Sequence, residues 1–101
     1  MDYRDLPDRR LDRRVPLGCA AALFSPGGVR WDARCVELSV GGMTLVTAYV
    51  PGESEVVEVE VQPPVERPTA APLRVKARVK RCHGHGDGHY ELGLETLRVI
   101  A

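Results

Sequence analysis

Two groups of residues have the types and the spacing to do chemistry. The first is the run Arg9-Arg10-Leu11-Asp12-Arg13-Arg14, with Arg4 upstream. Guanidiniums are planar, always charged, grip phosphate oxygens two at a time and stack on aromatic faces, so several on one segment suit a nucleotide. Asp2, Asp5, Asp8 and Asp12 share that segment, which leaves it nearly neutral, so any grip on an anion must be local. The second group is Glu37-Leu38-Ser39-Val40-Gly41-Gly42. In extended form it sends Val36, Leu38 and Val40 to one face, toward a core, and Cys35, Glu37 and Ser39 to the other. A carboxylate and a hydroxyl then stand side by side. Gly41 and Gly42 permit positive φ or a close approach of the backbone to a ligand.

A third cluster, Cys82, His83, His85, Asp87 and His89, has the side chains of a zinc site. The spacing fits no two-plus-two ligand pattern and is broken by Gly84, Gly86 and Gly88, so a hairpin turn is expected there and no metal. Catalysis has no support either. Ser39 lacks a G-x-S-x-G setting, no histidine is near it in sequence, and no acid pair stands out, so the chain is not expected to be an enzyme.

The elements that must position these residues read as strands. Val15 to Phe24 is rich in small residues and ends at the Ser25-Pro26-Gly27-Gly28 turn, and Val29 to Val40 is its return strand. Met43 to Thr47 forms a third strand, ended by Pro51-Gly52. Glu55 to Gln62 alternates, with Val57, Val59 and Val61 inward and Glu58 and Glu60 outward. After the proline-rich connection from Pro63 to Pro72, Leu73 to Lys80 alternates again, with Arg74, Lys76, Arg78 and Lys80 outward. An acidic face followed by a basic one predicts antiparallel neighbours with cross-strand charge pairs. Tyr90 to Leu97 is the last strand, with room after it for a short helical turn at most. Residues 1–14, charged and without an apolar period, form a flexible arm ahead of a single barrel domain at 15–101.

Composition agrees with one small domain. The chain has 101 residues, 44% hydrophobic, with 14 basic against 14 acidic side chains, so no global field favours nucleic acid or an anionic membrane. An aromatic content of 5% argues against a base-stacking platform for single strands. No apolar run is long enough to span a membrane and the N-terminus is not signal-like, so a cytoplasmic protein, a monomer or weak dimer, is expected. The odd set Cys19, Cys35 and Cys82 suits reduced, part-buried thiols.

Six short strands behind an arginine-rich arm describe a small all-β antiparallel barrel, and here the sequence resembles the PilZ domain, the bacterial receptor module for cyclic di-GMP. Arg10-Leu11-Asp12-Arg13-Arg14 supplies the family's RxxxR, with Arg9 as the extra arginine and Val15-Pro16 following. Glu37-Leu38-Ser39-Val40-Gly41-Gly42 matches the D/N-x-S-x-x-G signature at Ser39 and Gly42, and Tyr90 to Glu95 resembles the closing strand. The resemblance implies a six-stranded, split-barrel-type fold with cyclic di-GMP as ligand on its outer surface. Arg10 and Arg14 would hold guanine edges and phosphates, with Arg9 adding charge or stacking. Glu37 and Ser39 would bond a guanine edge, and Gly42 would admit the ligand closely. The arm would order on binding and change the surface offered to an effector protein in motility, polarity or exopolysaccharide control. One departure is Glu37, where the family has Asp or Asn. It is one methylene longer, and misplacing its hydrogen bond costs about 1–3 kcal/mol. A degenerate PilZ domain that binds no nucleotide and serves as a protein-interaction module is the alternative.

Overall fold

The computed structural model describes residues 15–63 and 70–100. The arm with Arg9, Arg10 and Arg14 lies outside the described residues, as does most of the proline-rich connection. Every regular element among the described residues is a strand: β1 (Val15–Phe24), β2 (Arg30–Leu38), β3 (Gly42–Thr47), β4 (Val56–Val61), β5 (Leu73–Gly86) and β6 (His89–Val99). All neighbours are antiparallel, and they close into a barrel in the order β1-β2-β3-β6-β5-β4. No helix there is long and apolar enough to cross a membrane.

The barrel closes because alternation leaves each strand one apolar face. Val57, Val59 and Val61 of β4 and Val75, Ala77 and Val79 of β5 point inward, and Leu23, Leu45 and Leu92 are wholly buried among them. Outside, the expected charge pairing holds: Glu58 is opposite Lys76 and Glu60 opposite Arg74. The ion pair that forms is diagonal, Arg74 to Glu58 at 3.3 Å, and Arg74 also lies 4.8 Å from the centre of the Phe24 ring. The Trp31 and Tyr49 rings meet at 5.1 Å, tilted by 41°, and the Tyr49 hydroxyl donates to the Glu55 carboxylate. Burial and that bond push the Tyr49 hydroxyl up to about 12.

Three local readings change. Alternation alone predicts Val36 and Val40 inward and Cys35 outward, but Cys35 is fully buried and Val40 is 85% exposed. For Cys35 the cause is a bulge: Cys35 pairs with Leu45 and Glu37 with Thr44, so Val36 is an extra residue that resets the alternation, whereas Val40 is exposed because the strand has ended before it. Glu37 keeps its outward place, Leu38 packs against the core, and Val40 sits in the turn. The second change is the Cys82–His89 segment, which is mostly strand. β5 runs to Gly86, and the turn is Asp87-Gly88 alone, with φ of 57° and 75°. Two positive values in a two-residue loop match the right-handed twist of the flanking strands, and Asp-Gly tolerates them. Third, β6 continues past Leu97 to Val99 and the Ile100 amide donates to the Arg74 carbonyl, so the room left for a short helical turn is taken by strand. All three cysteines are free; Cys19 and Cys35 are buried, whereas Cys82 is exposed on the hairpin rather than part-buried.

Candidate functional site

Glu37, Ser39 and Gly42 occupy the β2–β3 corner. The Ser39 amide donates to the Gly42 carbonyl at 2.9 Å, and the Ser39 hydroxyl donates to the same oxygen at 3.3 Å. Both bonds tighten the turn and fix the serine beside the glycine pair. Neither Gly41 nor Gly42 has positive φ. Gly42 is buried in β3 for a different reason: a Cβ there would sit far inside contact with the Leu94 carbonyl oxygen and 3.3 Å from its carbon. The missing side chain lets β3 and β6 approach at the corner.

The bulge that buries Cys35 also sets Glu37. The Cys35 thiol donates to the Glu37 carbonyl at 3.4 Å. Burial, then neighbouring Cys19, push that thiol up to about 11 against the lowering effect of this bond, so it stays protonated as the donor. The Glu37 side chain lies over β3, where the Thr44 hydroxyl donates to its Oε1 at 3.4 Å. Thr44 is 2% exposed although it alternates away from Met43 and Leu45, so its hydroxyl needs such a partner.

From Glu37 the strand register carries a row across the outer surface. Glu37 pairs with Thr44, Thr44 with Gly93, and Gly93 with Arg81. At strand spacing of about 4.8 Å the row spans roughly 14 Å. Gly93 is the gap in the row, and the Arg81 side chain lies across it: a Cβ on Gly93 would fall 2.6 Å from the Arg81 Cζ and 2.8 Å from its Cγ. The Arg81 side chain therefore lies over Gly93, the cross-strand neighbour of Thr44. A depression of about 210 Å³ adjoins it, lined by Ser39, Gly41, Gly42, Lys80, Arg81 and Glu95 among others. Lys80 and Glu95 pair loosely at 3.8 Å, both half-exposed, which leaves the lysine charge available to an anion.

The structure brings together three of the sequence-predicted site residues, Glu37, Ser39 and Gly42. Arg9, Arg10 and Arg14 are outside the described residues; the first described residues, Val15 and Pro16, pair with Leu38 and Glu37. In the sequence, Arg14 directly precedes Val15, which flanks the corner. Sequence reasoning missed Arg81, Thr44 and Gly93. Arg81 reads as the end of a basic strand, and its place opposite Gly93 depends on a bulge between Val79 and Arg81. A larger depression of about 550 Å³, between β2 and the hairpin tip, is lined by Arg34, Val36, His85 and His89 among others and holds none of the predicted residues. Among the described residues no group of three or more His, Cys, Asp or Glu could hold a metal ion.

Comparison with protein families matches the PilZ domain over residues 8–100. The chain belongs to the PilZ domain family. Among solved structures, the Bacillus subtilis inhibitor of motility, MotI/DgrA, is similar with a TM-score of 0.71 and 16% identity, over 87% of this chain. At that identity the likeness concerns the fold alone. The PilZ chain spans 42% of the length of that protein. No curated protein matches it in sequence. The PilZ family is one of cyclic di-GMP receptor and adaptor domains, and the closed six-stranded barrel is its fold.

Proposed function

We propose that this PilZ domain is a cytoplasmic receptor for cyclic di-GMP that acts on a protein partner rather than by catalysis. The observation that carries the reading is the in-register row Glu37, Thr44, Gly93 and Arg81, with the start of β1 beside it, Val15 opposite Leu38 and Pro16 opposite Glu37. Glu37 accepts from a guanine edge, as carboxylates do from ring and amino N–H groups. Ser39 supplies a hydroxyl next to it. Gly93 lets the Arg81 side chain lie flat on the sheet, so its exposed guanidinium offers a charged plane on which a base can stack. Arg10 and Arg14 close over the ligand from the arm and take its phosphates bidentately, with Arg9 stacking or adding charge. Ordering of the arm then alters the surface seen by an effector protein. Its entropic cost lowers the apparent affinity.

The non-binding adaptor reading is favoured by one observation, the longer carboxylate of Glu37 already laid against Thr44. A calorimetric titration with cyclic di-GMP, run beside Arg14→Ala and with GTP as control, decides between them. Saturable binding to the wild type that Arg14→Ala abolishes, with an unchanged melting midpoint of the free domain, supports the receptor. Absence of heat and of any melting shift at millimolar ligand makes the domain an adaptor.

A further inference from the structure

β5 is longer than the strand that covers it. Its last pairing with β4 is Arg78 opposite Val56, followed by one bond from the Val79 amide to the Glu55 carbonyl at 2.9 Å. From Arg81 to Gly86 it pairs with β6 on one side. On the other side, from Lys80 onward, it has no strand beside it among the described residues, and Lys80 to Gly86 are all exposed. Peptide groups along such an edge are a template for another strand. A depression of about 390 Å³ adjoins the start of this edge, walled by Pro51, Gly52, Glu53 and Ser54 against Val79 to Cys82.

Charge selects what would pair there. From Leu73 to Gly86 there is no acidic side chain, and Lys80, Arg81, His83 and His85 continue the basic series begun by Arg74, Lys76 and Arg78. The first half of β5 meets its complement within the chain, the strand Val-Val-Glu-Val-Glu-Val of β4, with Glu58 opposite Lys76 and Glu60 opposite Arg74. The second half presents the same chemistry where β4 has ended. The equivalent edge of a second copy would set cation against cation, which is unfavourable across a strand pair.

We propose that the Lys80–Gly86 edge is a docking strand for an acidic, extended segment of a partner protein, added to β5 as β4 is added farther down. Main-chain bonds give the affinity, and acidic side chains at alternate positions give the selectivity. The edge starts at Lys80 and Arg81, which also line the depression at the β2–β3 corner, and runs away from it, so one end of a docked segment would lie next to the proposed nucleotide site.

The test is nuclear magnetic resonance titration of the isotopically labelled domain with the acetylated, amidated peptide Glu-Val-Glu-Thr-Glu-Val-Glu, beside the same peptide with lysine for glutamate. The expected result is shifts confined to Lys80–Gly86 and Gly52–Glu55 with the acidic peptide, at least tenfold weaker for the lysine peptide. They are lost in the double variant His83→Glu, His85→Glu, whose spectrum elsewhere and melting midpoint stay those of the wild type. Equal response to both peptides, shifts spread over the barrel, retention in the double variant, or no shift at millimolar peptide overturns the proposal. So do concentration-dependent shifts without peptide, which would assign the edge to a second copy.

Discussion

Gly93→Ala separates the ligand face from the fold. The new Cβ meets the Arg81 side chain, 2.6 Å from Cζ and 2.8 Å from Cγ, and meets no backbone atom among its three nearest neighbours. A flexible side chain can leave, so the substitution displaces the guanidinium rather than the strand. Leaving its rotamer costs about 0.5–1.5 kcal/mol, while replacing a strand glycine with alanine returns about 0.5–1 kcal/mol. The two nearly cancel, and the melting midpoint should stay within about 8 °C of wild type, at roughly 4–8 °C per kcal/mol for a domain of this size. Loss of a guanidinium from beside a bound base removes about 1–2 kcal/mol, a 5- to 30-fold weakening of cyclic di-GMP binding. Arg81→Ala should weaken binding equally, and the double variant should be no worse than either single one, because both remove one interaction. Calorimetry and thermal melting on the four proteins read the cycle. Additive losses in the double variant, or wild-type affinity in Arg81→Ala, would refute the placement of Arg81. A fall in stability beyond about 2 kcal/mol in Gly93→Ala would refute the steric reasoning.

Gly42→Ala should do the opposite. Its Cβ collides with the Leu94 backbone, which cannot swing aside, so the loss is about 3 kcal/mol and the thermal midpoint falls by at least 10 °C; a near-wild-type midpoint contradicts the close β3–β6 approach. Glu37→Asp shortens the side chain that Thr44 now holds and should tighten cyclic di-GMP binding by about tenfold, and unchanged or weaker binding by calorimetry argues against the misplacement argument. In alkaline unfolding, Cys35 and Tyr49 both ionise later in the folded protein than in the unfolded chain, from 9.0 to about 11 and from 10.0 to about 12. Their stabilisation is whole below pH 9 and is lost from there to pH 12 as the unfolded chain ionises first. Tyr49→Phe should flatten the stability curve between pH 10 and 12 only, measured by urea melts along a pH series, and an unaltered slope there sinks the assignment.

The sequence alone determined the strand count and the order of the elements. Strict alternation in Val57 to Val61 and Leu73 to Val79, and turn residues between the runs, leave few other ways to bury one face of each strand. It also determined the two arginine and Glu-x-Ser-x-x-Gly groups, because side-chain chemistry and local spacing need no partner to be read. Tertiary structure decided what depends on a neighbouring strand. The bulge that lets Cys35 and Leu38 both face inward arises from pairing with β3, and one inserted residue reverses the faces on one side of it. Gly42 is legible as a glycine, but only the Leu94 carbonyl explains it. Arg81 reaches the corner through a second bulge and across the bare surface of Gly93, residues far apart in sequence and joined by register. Alternation is a local property, whereas register is shared between strands, and the proposed ligand face of this barrel depends on register.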